Sequence, residues 1–238
     1  LAPFYSTGRN TLLGTFKLDY SFYPQKLFRR IQTAAELKMY SGFSKIEPKI
    51  EFEFHKRHMA TCPTTKLTFR YAIIEADTNI ISQYEPSYNI LNANYSMRKK
   101  NALIDVGFEM DYRIKFDDFS VWKNVFDFSY EYLKKENISV RFFYGQLFGE
   151  NIPSSYMLGI SGGTDFMMDE VLFDRAMIGQ KITGYEKQAV LNDGAIKHYT
   201  GQFTSKSLAS ASITIDIPKL PFLGVYADYA YASAESQS

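Results

Sequence analysis

The chain has 238 residues, with 27 Lys and Arg against 26 Asp and Glu and a formal net charge of +1, so its total charge carries no nucleic-acid footprint. Its single cysteine, Cys62, excludes an internal disulfide framework and a zinc site built from several cysteines. No run approaches the ~18 apolar residues of a membrane helix, which leaves a membrane β-barrel open, because barrel strands alternate polar and apolar residues.

Alternation recurs along the chain. GTFKLDYSFY (Gly14–Tyr23) sets Phe16, Leu18, Tyr20 and Phe22 against Lys17, Asp19 and Ser21. KIEPKIEFEFHK (Lys45–Lys56) sets Ile46, Pro48, Ile50, Phe52 and Phe54 against Glu47, Lys49, Glu51, Glu53 and His55. TKLTFRYAI (Thr65–Ile73) repeats the pattern with Leu67, Phe69, Tyr71 and Ile73 against Lys66, Thr68 and Arg70. In ALIDVGFEMDYRIKF (Ala102–Phe116) every second residue from Ile104 is apolar, while Asp105, Glu109, Asp111, Arg113 and Lys115 stand between. VFDFSYEYL (Val125–Leu133) and ASASITIDI (Ala209–Ile217) follow the same rule. Weaker copies are IQTAAELKMY, ILNANYSM, ISVRFFYG, SYMLGISG and FLGVYADYAY. Side chains two apart share one face of a strand, so the pattern predicts about eleven strands, each with a greasy and a charged face. The connections YPQK, SGFS, RKKN, DDFS, KKEN and IPKLP are short, which predicts consecutive antiparallel hairpins in an up-and-down meander. Only the region 163–206 breaks the rhythm, and a loop that long is usually functional or a plug.

The greasy face has two possible neighbours, a soluble core or lipid. Three features favour lipid. The Ile104–Phe116 run exceeds the ~9–11 residues that span a bilayer. The polar face repeats full charges of both signs, which a watery lumen accepts. Tyr20, Phe22, Tyr23, Phe28, Tyr130, Tyr132, Tyr226, Tyr229 and Tyr231 cluster near strand ends, as in interfacial aromatic girdles. The resulting expectation is an all-β, antiparallel, up-and-down transmembrane barrel of about 10–12 strands with one long loop. It would be a single domain over 1–238 in a bacterial outer membrane, with lipid and other outer-membrane proteins as partners. The odd strand tally and the ending AESQS suggest a segment of a longer chain whose closing strand lies beyond it.

No catalytic constellation stands out. HKRH (His55–His58) puts two histidines three apart, but it reads as a basic loop at a headgroup boundary in preference to a metal pair. HExxH, a P-loop, GxGxxG before a helix and GxSxG are all absent. Asp165, Asp169, Glu170 and Asp174 fall close together without EF-hand spacing, and read as loop acids paired with Arg175 or Lys181. Asn94 and Asn137 match the glycosylation sequon inside strand patterns.

The segments KIEPKIEFEFHK, TKLTFRYAIIE, RFFYGQLFGENIP, YMLGISGGTDFMMDEVLFDRAMIG, QAVLNDGAIKHYT and IDIPKLPFLGVYAD, in that order, resemble the C-terminal region of M1-like (gluzincin) metallopeptidase proteins of Bacteroidota. Arg141, Phe143 and Gly145 stand where that region has an R-L-F-x-G strand. Gly163, Asp165, Phe166, Asp169, Asp174 and Arg175 match its glycine- and aspartate-rich stretch, and Asn192, Asp193, Gly194 and Lys197 its R-D-G-G-F-K stretch. Asp174 replaces a glycine, Asn192 an arginine, and Ala195–Ile196 a Gly-Phe pair. The resemblance implies an outer-membrane barrel that anchors an upstream peptidase-like domain. Any zinc and any catalytic residue would belong to that domain and none to this chain. It also implies that Gly163, Asp165, Asp169, Asp174, Arg175, Asp193, Gly194 and Lys197 form a structural loop at one rim or in the lumen. Two other roles remain open, a transport or Omp85-like assembly barrel and a soluble β-barrel that binds an apolar ligand.

Overall fold

The computed structural model describes residues 4–6, 11–24, 27–40, 43–54, 63–76, 87–116, 118–134, 136–149, 152, 157–160, 193–194, 196, 203–204, 206–218 and 220–233. Every regular element among them is a strand: β1 (Phe4–Ser6), β2 (Thr11–Phe22), β3 (Phe28–Tyr40), β4 (Phe43–Phe54), β5 (Thr64–Ala76), β6 (Ser87–Lys100), β7 (Ile104–Lys115), β8 (Phe119–Leu133), β9 (Glu136–Gly149), β10 (Leu158–Gly159), β11 (Phe203–Thr204), β12 (Ser207–Ile217) and β13 (Leu220–Ser233). One antiparallel sheet runs in the order β1-β2-β3-β4-β5-β6-β7-β8-β9-β12-β13, and β10 pairs with β11 apart from it. The fold is therefore the expected all-β meander. The alternating segments named above become β2, β4, β5, β7, β8 and β12, and four of the five weaker copies become β3, β6, β9 and β13.

The fifth copy departs from expectation. Of SYMLGISG only Leu158–Gly159 pairs as a strand, and it lies outside the large sheet. The odd tally of eleven thus becomes ten long strands with the three-residue β1 beside them. The edges of the sheet are β1 and β13; with ten long strands, the first and last of them, β2 and β13, run in opposite directions, as closure of an antiparallel barrel requires. Each long strand has 11 to 15 residues. At ~3.3 Å per residue and a tilt of ~40°, such strands cover the ~25–30 Å of a membrane's hydrocarbon layer.

Successive strands alternate direction, so the sheet has two ends. The turn end carries the β2–β3, β4–β5, β6–β7, β8–β9 and β12–β13 connections. The insert end carries the β3–β4, β5–β6 and β7–β8 connections and the long segment 150–206 between β9 and β12. The β6–β7 turn is shaped by Asn101, whose Oδ1 accepts from the amides of Leu103 at 3.1 Å and Ile104 at 2.6 Å. An asparagine side chain substituting for backbone in this way is a local turn-former. Register shifts fall at Phe28/Arg30, Glu131/Leu133 and Asp216/Ile217, all at the turn end, where bulges re-aim strands at barrel rims. Pro48 sits inside an interior strand, and there the β4–β5 ladder skips from Ile46↔Ile73 to Lys49↔Arg70, because proline has no N–H to donate.

The two faces follow the sequence alternation with inverted burial. Lys45, Glu47, Glu51, Glu53, Asn92, Asp111, Arg113 and Lys123 are buried, whereas Leu18, Tyr20, Phe69, Met110, Tyr112, Trp122, Phe126, Phe142, Tyr144, Ile213 and Tyr229 are exposed. Tyr132, at the Glu131/Leu133 register shift, donates its hydroxyl to the backbone oxygen of Asp216. Tyr226 pairs across the ladder with Thr214, which places it on the polar row.

Gly149, at the insert end of β9, has φ 112°, and a Cβ there would stand 2.3 Å from the Asp118 carbonyl oxygen. Both the left-handed backbone and the clash forbid a side chain. Gly149→Ala should therefore cost at least ~1–3 kcal/mol, read as a lowered temperature of the folded-to-unfolded gel-mobility shift; an unchanged midpoint would contradict this account of the β7–β8 and β9 rim.

Candidate functional site

Two adjacent rungs of the ladder define the site's setting. One crosses all ten long strands as Ser21–Gln32–Glu51–Thr68–Asn94–Asp111–Lys123–Gly145–Leu208–Ala232. The next runs Phe22–Ile31–Phe52–Leu67–Tyr95–Met110–Asn124–Tyr144–Ala209–Tyr231. Neighbouring rungs point to opposite faces, so one face is ionic and hydroxylic and the other oily.

On the ionic face, charges meet across strands. Arg30 on β3 reaches Glu51 at 2.8 Å and Glu53 at 3.3 Å. Glu51 also meets Lys49 at 3.3 Å and Lys66 at 3.4 Å. Lys45 pairs with Glu47 two residues along the same strand. Further on, Arg70 Nε donates to Asn92 Oδ1 at 2.8 Å, Asn92 Nδ2 donates to Asp111 Oδ1 at 2.5 Å, and Arg113 Nε donates to Asp111 Oδ2 at 2.7 Å. This chain joins β5, β6 and β7. Asn94, the residue of one sequon, donates to Glu109 at 2.6 Å on the same face. Desolvating so many charges is favourable only where each finds a partner.

Between β9 and β12, residues 157–160 and 193–194 seat on this face. Asp193 is the anchor: Oδ1 takes the Lys123 ammonium at 2.8 Å and Oδ2 accepts from the Gly159 amide at 3.0 Å. Its backbone oxygen accepts from Arg141 Nη1 at 2.9 Å, while Arg141 Nε lies 3.6 Å from Asp127. Gly194 donates to the Gly159 carbonyl at 2.8 Å and accepts from the Ser210 hydroxyl at 2.6 Å. Ile196 donates to the Ile160 carbonyl at 3.1 Å. Leu158, fully buried, fills the space over Gly145, where a Cβ would come within 2.8 Å of a Leu158 methyl. Around it the polar face turns apolar toward the insert end: Ala72, Ile74, Ile90, Phe119, Val121, Phe143, Leu147 and Leu208 are buried together with Leu158.

Of the residues expected to form a structural loop, Asp193 and Gly194 lie in this site, and Arg141, Phe143 and Gly145 of the matching strand lie beneath them. Gly163, Asp165, Asp169, Asp174, Arg175 and Lys197 lie outside the described residues, as do the HKRH histidines, His198 and Cys62. Sequence reading missed Lys123, Leu158 and Ser210. Lys123 had a signal: it is a lone cation among Phe119, Val121 and Val125 on one face of β8, and so requires an anion from elsewhere. Among the described residues, no group of three or more His, Cys, Asp or Glu is disposed to hold a metal ion.

No protein-family model matches the chain, and no curated protein matches it. Among solved structures the chain is similar to BamA from Haemophilus ducreyi lacking POTRA domains 1–3, at 11% identity and a TM-score of 0.47; the match covers 95% of this chain and 53% of that one, about half its length.

Lys123→Met would leave the Asp193 carboxylate buried without its ammonium, a loss of about 3–5 kcal/mol by analogy with broken buried pairs. Limited proteolysis should then cut within 150–206 faster, with the sheet strands still protected; an unchanged rate would show that the pair does not hold the segment.

Proposed function

We propose that the chain is an integral β-barrel domain of a bacterial outer membrane, its oily face toward lipid and its ionic face toward a lumen into which Leu158, Asp193 and Gly194 project. The observation that carries this reading is the inverted burial. Asp111, Arg113 and Lys123 are under a tenth exposed, while their outward neighbours Met110, Tyr112 and Trp122 are more than a third exposed. A water-soluble sheet has no reason to bury its ion pairs and display its aromatics, whereas hydrocarbon rewards that arrangement. Strands of 11 to 15 residues, each long strand paired to the next from β2 to β13, support it further.

Orientation follows from the connections. The insert end carries the long segment 150–206, so in this reading it faces the exterior and the turn end the periplasm. Within this reading the domain's role is to anchor an attached domain. The resemblance of β9 and of residues 193–194 to the barrel region of M1-like metallopeptidase proteins supports a peptidase-like domain on the periplasmic or outer side of that anchor.

The lipid and soluble readings part at Phe126, which lies on the outward rung Met97–Phe108–Phe126–Phe142–Ala211–Tyr229 near the middle of β8. A charge there costs about 2–4 kcal/mol at a bilayer midplane and little on a surface already wet. Phe126→Arg should abolish assembly into phospholipid vesicles, scored by heat-modifiable mobility, while Ser96→Arg on the ionic face assembles. Equal assembly of both, or solubility of the native chain without detergent, would overturn the proposal.

A further inference from the structure

The oily face is not uniform. Over β8, β9, β12 and β13, three successive outward rows change character. The row Trp122–Gln146–Ser207–Ser233 is polar. There the Tyr144 hydroxyl donates to Gln146 Oε1 at 2.8 Å, and the Ser207 and Ser233 hydroxyls lie 2.7 Å apart. The next row toward the turn end is Asn124–Tyr144–Ala209–Tyr231, and the third is Phe126–Phe142–Ala211–Tyr229. In these two rows β12 offers only the methyl groups of Ala209 and Ala211, between the rings of β9 and those of β13. The result is a groove of about 340 Å³, floored by the two alanines and walled by Phe126, Phe142, Tyr144 and Tyr229. Phe126 and Phe142 brace one wall, with ring centroids 6.3 Å apart. Depth follows from strand geometry. Gln146 stands three residues before Gly149, the insert-end limit of β9. At ~3.3 Å per residue and a tilt of ~40°, it lies ~8 Å below that rim, on a strand ~35 Å tall against a hydrocarbon band of ~25 Å. The polar row is therefore within ~3 Å of the hydrocarbon boundary, and the groove descends from it into the layer.

We infer that this groove seats one acyl chain of a phospholipid, with the chain's ester carbonyl at the Trp122–Gln146 row. This inference rests on the membrane reading above. The two ends of the groove specify the occupant. An alanine floor between aromatic walls takes a narrow, flexible hydrocarbon chain, which gains contact along its length. At the polar end the side-chain groups left over are donors. Gln146 Oε1 already accepts from Tyr144, which leaves its amide nitrogen. The Trp122 indole N–H meets no acceptor among the described residues. A donor in hydrocarbon is costly without a partner, and an ester carbonyl is an acceptor alone. The row carries no Lys, Arg, Asp or Glu, so the seat reads the chain and its ester and not the charge of the headgroup.

The test is native mass spectrometry of the full chain, released from detergent micelles that contain dioleoylphosphatidylethanolamine. The native chain should retain one lipid molecule. Ala211→Phe fills the groove with a side chain that suits both a strand and lipid, and should cut the retained fraction about tenfold. Ala35→Phe makes the same change at an exposed outward alanine of β3, paired with Leu18 and Pro48, and should leave retention unchanged. Equal retention by the two variants would overturn the inference. A second measurement needs no variant. The diether analogue, with the same chain length and headgroup but no ester carbonyl, should be retained about fivefold less, the scale of one lost hydrogen bond; equal retention of ester and ether lipids would overturn the assignment. A native dimer that Ala211→Phe turns into a monomer would give the groove to a second copy of the chain and overturn the lipid seat. Insertion into vesicles without lipid retention would remove the seat and leave the membrane reading standing, whereas failure of the native chain to insert, scored by heat-modifiable mobility, would remove the membrane reading itself.

Discussion

Register is the constraint on which everything else depends. In a strand one residue of slip moves every side chain to the opposite face, and here the faces differ as much as two faces can. A slip of β7 against β6 would turn Asp111 and Arg113 toward the side of Tyr95 and Met97 and carry Met110 and Tyr112 among Asn92, Asn94 and Lys123. Cross-strand pairs such as Asn92 with Asp111 and Arg30 with Glu51 therefore do more than add their own modest free energies. They make every alternative alignment bury a charge without a partner, a cost of several kcal/mol for each ion. The ten-strand rung from Ser21 to Ala232 is the visible result of many such local choices agreeing.

That agreement explains why so much of the fold was legible. Period-2 alternation located every long strand and, in the six clearest segments, separated the two faces, because alternation is a direct projection of the pleat. Short polar connections indicated hairpins, and Asn101 shows the chemistry that makes one of them. Strand limits were less visible. β8 begins at Phe119, six residues before the alternation of Val125–Leu133 becomes clear, because near the insert end Phe119 and Val121 face inward while Ser120 and Asn124 face outward, which reverses the usual contrast. The same local loss of contrast hides the ends of β5 and β6, where Ala72, Ile74 and Ile90 face inward.

The site was legible only in part. Asp193, Gly194, Arg141 and Gly145 came through a resemblance, not through any pattern of their own. The pairing of Lys123 with Asp193 spans 70 positions, and nothing local to either residue encodes the distance. What each does encode is a need: a cation among apolar neighbours, and a glycine in a strand. Gly145 as a cavity for Leu158 is the second of these, since a missing side chain in a sheet marks a close approach by another part of the chain.

The place where the segment 150–206 enters the sheet has a further bearing. β9 and β12 lie side by side in the ladder, just as two strands joined by a tight hairpin would. Lengthening that connection costs the sheet only the slowly growing entropy of closing a larger loop, so the wall can be completed without reference to what the loop contains. The sheet and the inserted segment are thereby uncoupled: the segment can be shortened, enlarged or replaced with the sheet intact, provided Lys123, Arg141, Gly145 and Ser210 still find something to hold.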